Sequence, residues 1–215
     1  MSKTEEIFLG FDPGGGSHFG VAALVGDQGE TAAVSSVSAA LMWAKERCGP
    51  SSPRAAGVDT LLHWSDGPGG WRPADKKLRS SYPKAANSVI SPNGLYGSMA
   101  IGGMALAIRL RGQWKDIRLN ETHPKLLVHA LGGARYTDNN AAGAIAWLAK
   151  QSGLDTSRVG SGHELDALLS AWATREGIRG NWGDLAQEEP ALIFPAGRVM
   201  YLWPMERTAV ASFGT

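Results

Sequence analysis

Three aspartates in this chain stand where a divalent cation is the natural partner. Asp12 closes the apolar run Ile7 to Asp12, within Gly10-Phe11-Asp12-Pro13-Gly14-Gly15-Gly16. Asp59 sits in Gly57-Val58-Asp59-Thr60-Leu61, near the end of a second apolar run, Ala55 to Leu61. Asp166 lies on the helix predicted for Ser161 to Gly177. If the first two runs are adjacent parallel strands, their ends are roughly 5 Å apart. Carboxylates that close repel unless a metal, a proton or a basic group separates them. Oxygen-only ligands select hard cations, so Mg²⁺ or Mn²⁺ is the expected ion. Two such ions roughly 4 Å apart can activate water and stabilise the leaving oxygen in phosphodiester hydrolysis.

Other residues could assist. The helical period places His163, Asp166 and Ser170 on one side and Leu165, Leu168, Leu169 and Trp172 on another. The leucines are then expected to bury on the sheet while Asp166 and His163 face the rim. His163 is a candidate ligand or proton shuttle. Glu121, at the end of the strand Asp116 to Glu121, is either a further ligand or a cap on the helix opening at Pro124. Gly14, Gly15 and Gly16 leave bare backbone beside Asp12 for a bulky phosphodiester, or else serve a tight turn.

The elements that position these residues follow from pattern. Ile7 to Asp12, His18 to Val25 and Thr31 to Ser35 are strands, with turn chemistry at Gly26-Asp27-Gln28-Gly29. Ser36 to Arg47 is a helix with Ser36 or Ser38 as N-cap and Gly49-Pro50 as its stop. Ala55 to Leu61 is the fourth strand, parallel to the first through a right-handed crossover. Tyr96 to Arg111 is an apolar helix, Asp116 to Glu121 the fifth strand, and Pro124 to Leu131 and Asn140 to Gln151 further helices. Leu192 to Pro195 and Val199 to Leu202 read as a terminal hairpin. This order predicts an α/β fold with a mixed five-stranded sheet, helices on both faces, and its site at the carboxyl ends of the parallel strands.

His63 to Pro92 reads as one long irregular loop. Arg72, Lys76, Lys77, Arg79 and Lys84, with Trp71 and Tyr82 between them, suggest a phosphate-contacting lid; an ordinary solvated loop is the alternative. Arg109, Arg111, Lys115 and Arg118 form a second basic group, which keeps the end of an apolar helix in water.

Bulk composition bounds the class. The 215 residues carry 43% hydrophobic and 19% charged side chains, enough for one globular domain spanning the chain and against disorder. A net charge of +1 gives no global attraction for nucleic acid, so any must be local. A single cysteine, Cys48, excludes an internal disulfide and fits a cytoplasmic setting. The acidic N-terminal residues argue against a secretory signal, and the longest uncharged apolar stretch, Gly94 to Ile108, is short of the roughly 18–20 residues of a membrane span. The eight tryptophans serve the core or contacts in a homo-oligomer.

Taken together, the Asp12 and Asp59 segments, Glu121-Thr122-His123-Pro124 and His163-Glu164-Leu165-Asp166-Ala167-Leu168 resemble a bacterial and archaeal family of predicted RNase H-like nucleases. Asp75-Lys76-Lys77-Leu78-Arg79 is similar to that family's Asp-Arg-x-Leu-Arg stretch. The His-x-x-Asp-Ala pattern also resembles the last helix of RuvC-type Holliday-junction resolvases. The resemblance implies an RNase H-like fold and metal-dependent nuclease chemistry at Asp12, Asp59 and Asp166, with Glu121 and His163 nearby and nucleic acid as partner. Two departures bear on substrate class: only Glu46 lies on the first helix, and the fourth strand carries Asp59 where the resolvases have glutamate. The rival readings are an actin-like nucleotide phosphotransferase and a non-catalytic binding module.

Overall fold

In a computed structural model of the chain, which describes residues 5–14, 18–63, 65, 68–90, 97–185 and 197–204, strand β1 (Ile7–Pro13) pairs antiparallel with β2 (Phe19–Val25). β2 in turn pairs with β3 (Gln28–Val34). Val25 faces Gln28, so Gly26 and Asp27 form a two-residue turn, with Gly26 at φ 56°. That positive φ lets the ladder begin three residues earlier than the Thr31 start expected from apolar content.

Helix α1 (Val37–Cys48) is capped by Ser36, whose hydroxyl accepts from the Ala39 amide. It leads to β4 (Ala55–Val58), parallel to β1 with Phe11 opposite Val58. β5 (Arg118–Glu121) lies parallel to β4, with Val58 opposite Glu121. The main sheet has six strands, not five. The sixth, β7 (Val199–Met200), runs parallel to β5, while β8 (Leu202–Trp203) pairs antiparallel with β6 (Gly183–Asp184). The expected terminal hairpin is thus replaced, in its second arm, by two short strands serving different sheets; Leu192 to Pro195 lies outside the described residues.

The stretch read as a long loop contains helix α2 (Pro73–Ser81) and a 3-10 segment, Pro83–Ser88. Pro73 at the first helical position and Asp75, whose carboxylate accepts the Arg72 amide at 3.4 Å, start α2. With only nine residues bounded by prolines, its buried Ala74 and Leu78 are too few to show a period.

Pleating splits the core between two faces. Leu9, Phe11 and Val21 face α1 and helix α3 (Gly97–Gln113). Phe8, Ala22 and Leu24 face the other side, with α4 (Pro124–Ala130), α5 (Ala142–Ser152) and α6 (Gly162–Ile178). Each leucine buried there contributes about 2 kcal/mol. α6 is buried nearly all round. Its tightest seam is not the expected leucine stripe. A Cβ on Gly10 would fall 1.9 Å from the Ala167 carbonyl oxygen, one on Gly20 2.0 Å from that of His163, and one on Gly57 2.2 Å from that of Ser170. Bare glycines thus take the helix backbone directly onto the sheet, and Leu165, Leu168, Leu169 and Trp172 fill the flanking core. No helix among the described residues is long and apolar enough to cross a membrane. Cys48 is a free, buried thiol whose pKa burial pushes up to about 11.

Candidate carboxylate site at the sheet rim

The parallel pairing of β1 and β4 brings Asp12 and Asp59 to one rim. Phe11 and Val58 form the last paired rung, and the Asp59 amide donates to the Phe11 carbonyl at 2.8 Å. Asp12 shares the pleat parity of Gly10, so it faces α6. Ser161 caps α6 by accepting from the Glu164 amide, and the Thr31 hydroxyl holds Glu164 Oε2 at 2.7 Å. This fixes the first turn of α6 against β3. His163 Nδ1 then lies 2.5 Å from Asp12 Oδ2. Asp166, one turn on, is fully buried. Its carboxylate accepts from the Tyr136 hydroxyl and, at 2.8 Å, from Lys125 Nζ.

Charge at this rim is unbalanced. Lys125 also donates to Asp138 Oδ1 at 3.0 Å, and His163 Nε2 lies 3.8 Å from Asp138 Oδ2. Four carboxylates therefore share one ammonium and the imidazoles of His163 and His18, whose rings lie 5.6 Å apart. Burial pushes Asp12 up even though His163 pulls the other way. Burial, then the charges of Asp166 and Asp12, push Asp59 well above the ordinary aspartate range. Burial likewise raises Asp166 to about 6, against the pull of Lys125. Its hydrogen bond to the Asp12 carboxylate raises His163. Despite partial burial, Lys125 holds Asp138 below the usual range. Among the described residues, no hydrogen bond reaches the Asp59 carboxylate.

Lys125, Tyr136 and Asp138 were not expected from sequence. Lys125 offered one signal, as a basic residue just after the fifth strand at the same rim. Tyr136 and Asp138 come from the connection between α4 and α5, which carries no pattern.

Glu121 is a correction. It pairs with Val58, so the pleat turns it to the sheet face opposite its neighbours Asn120 and Thr122, which bond Thr174 and Ser170 of α6. There Arg72 clamps it, Nη1 to Oε2 at 2.9 Å and Nη2 to Oε1 at 2.5 Å, and the Leu62 amide adds a bond at 2.8 Å. Arg72 also holds Asp75 through Nε and Nη2, both at 2.8 Å. Although burial alone would raise Glu121, Arg72 holds it well below the carboxylate range. Asp75, Glu121 and His123 could in principle ligate a metal, with ligand atoms within 4.8 Å of one another. Arg72 already gives Asp75 and Glu121 a positive partner, whereas His123 Nε2 is buried with no hydrogen-bond partner among the described residues.

Two arginines of the expected basic lid are also engaged internally. Arg72 is buried in that clamp. Arg79 donates to the carbonyls of Ala86 and Val89, both at 2.6 Å, and stacks 4.7 Å from the Trp71 ring centroid. Both arginines shape the insertion. Lys76 and Lys77 are exposed on α2. Gly14 is explained by packing, since a Cβ there would lie 2.3 Å from the His18 carbonyl oxygen and 3.2 Å from the His163 ring. Gly15 and Gly16 lie outside the described residues.

The open space beside the carboxylates runs elsewhere. A cavity of about 300 Å³ includes Asp59, Thr60, His123 and Lys125 in its lining. A second, of about 370 Å³, shares Asn87, Ser88 and Lys125 with it and adds Lys84, Arg135 and Asn140. Compared with known proteins, the chain matches no family model, no curated protein and no solved structure.

Proposed function

We propose that this protein is a metal-dependent nuclease with an RNase H-like fold, hydrolysing nucleic-acid phosphodiesters at the Asp12–Asp59–Asp166 rim. The observation that carries this reading is the Asp59 carboxylate, without a hydrogen-bond donor among the described residues and under the like charges of Asp166 and Asp12. The strand order 3-2-1-4-5, antiparallel then parallel, supports the fold that the sequence resemblance implies. Asp12, Asp59 and Asp166 would hold Mg²⁺ or Mn²⁺, which supplies Lewis-acid polarisation of the phosphoryl group. Asp12 orients His163, which can hold or release a proton at Nε2 beside the substrate. Lys125, Lys84 and Arg135 along the adjoining cavities offer positive charge to the phosphodiester backbone. A lone buried thiol suits a cytoplasmic setting for this activity.

The test is cleavage of labelled single- and double-stranded DNA and RNA with Mg²⁺ or Mn²⁺. Wild type is expected to cut at least one substrate, while Asp59→Asn and chelator-treated protein fall at least about a hundredfold, the scale of losing a central charge stabiliser. Full activity in Asp59→Asn defeats the mechanism. A second reading, a non-catalytic nucleic-acid-binding module, is favoured by one observation: Lys125 already bridges Asp166 and Asp138. It predicts nucleic-acid binding with neither turnover nor Mn²⁺ binding by calorimetry.

A further inference from the structure

The opposite rim of the sheet carries an imbalance of the other sign. Arg118 opens β5 and Arg111 lies in the last turn of α3. Lys115 sits on the short connection between them, and Arg198 immediately precedes β7. These four side chains, with Asp116 and Asp184, line a cavity of about 410 Å³. Four cations against two carboxylates leave the lining positive.

Two atoms make this more than a charged surface. Arg111 Nε and Arg118 Nη2 are buried with no hydrogen-bond partner among the described residues. Leaving such donors unsatisfied is costly, more so on a charged group. The other buried arginines avoid this cost. Arg72 is paired on both sides, and Arg175 donates to the Gly26 carbonyl at 2.6 Å and reaches Asp27 at 3.3 Å. Arg111 gives one nitrogen to the Arg198 carbonyl, which orients its fork and leaves Nε over. Asp184 accepts the Tyr201 amide at 2.9 Å. Arg54 lies close enough to Arg118 to repel it, offset in part by the attraction of Glu6. The lining therefore has spare donors and spare positive charge.

We infer that this cavity, with Arg111 and Arg118 as its principal donors, is a binding site for a phosphate dianion, separate from the carboxylate rim. Guanidinium forks match the oxygen spacing of phosphate. A lining of four cations favours a doubly charged group over a carboxylate, and the volume admits a ligand up to about the size of a mononucleotide. The dianion can come from a free phosphate compound or from the terminal phosphate of a nucleic-acid strand.

Calorimetric titration of the full chain at low salt tests this. The probes are inorganic pyrophosphate, adenosine monophosphate, and one oligonucleotide with and without a 5′-phosphate. Saturable binding of at least one phosphate probe is expected, weakened about tenfold or more in Arg118→Gln and in Arg111→Gln. Binding of the small probes identifies a free phosphate compound as sufficient. Preference for the phosphorylated strand over its unphosphorylated twin identifies a strand end. Arg118→Lys and thermal unfolding of every variant separate loss of the fork from loss of the fold. Absence of saturable binding by all probes at millimolar concentration overturns the inference, as does unchanged affinity in both folded glutamine variants.

Discussion

Lys125 holds its ammonium between Asp166 and Asp138 with the side chain 40% exposed. That exposure and a flexible four-carbon stem allow it to swing aside, unlike the buried Arg72. Lys125→Met should cost the chelator-treated protein about 1–2 kcal/mol, below the usual value for a broken buried pair because one partner is partly solvated. The same change should tighten Mn²⁺ binding, since the competing cation is gone. Urea unfolding in chelator and a Mn²⁺ titration read the two effects separately. If Mn²⁺ affinity falls or stays level, Lys125 does not compete for the site. Asp59 is the converse case: it is held among like charges, so its neutral replacement should leave the metal-free fold at least as stable as wild type. Under the proposed nuclease reading, function and stability oppose one another there.

At the scale of elements, the decisive contact is α6 lying on Gly20, Gly10 and Gly57. The helix brings Asp166 and His163 to the rim only because nothing projects from the sheet beneath it. Gly10→Ala places a methyl group 1.9 Å from the Ala167 carbonyl oxygen. Backbone cannot rotate away as a side chain does, so the helix must lift. A loss of about 3 kcal/mol is expected, at the upper end for overpacking, together with weaker Mn²⁺ binding as Asp166 moves off Asp12. Gly112→Ala is the control. It lies in the last turn of α3 with open space around its Cβ position, and should gain up to about 1 kcal/mol from helix propensity. Equal chemical-denaturation midpoints for the two variants would contradict this account of the seam.

For the molecule as a whole, Arg72 ties the insertion between β4 and α3 to the sheet through Glu121. Glu121 has an ordinary pKa of 4.5 and a folded value well below it. Between the two, the unfolded chain binds more protons than the native protein, so stability falls as pH falls. The contribution is complete above about pH 5 and is lost progressively as pH drops towards the folded value. Glu121→Gln should cost about 3 kcal/mol near neutrality by leaving Arg72 half-paired, and should flatten the acid limb of the stability curve. Urea midpoints across acid pH measure both, and an acid limb as steep as wild type in the variant removes Glu121 from this role. Asp12 and Asp59 thus stand at the carboxyl ends of the parallel strands, and Arg118 and Arg198 at the amino ends of β5 and β7.

What the chain declared in one dimension was what rests on neighbours in sequence. Apolar runs and the Gly26-Asp27 turn marked the meander, Ser36 and Ser161 marked helix starts, and the β-α-β order set β1 beside β4, which alone places Asp12 next to Asp59. Helical period placed His163 and Asp166 on one side of α6. Register and packing decided the remainder. A one-residue parity turned Glu121 away from the other acids, because successive strand side chains point to opposite faces. Arg72 and Arg79 became internal clamps rather than phosphate contacts, because α2 folds back onto the sheet. Lys125, Tyr136 and Asp138 joined the rim from separate segments. Such meetings are set by the three-dimensional path of the chain, and residue type and spacing carry no record of them.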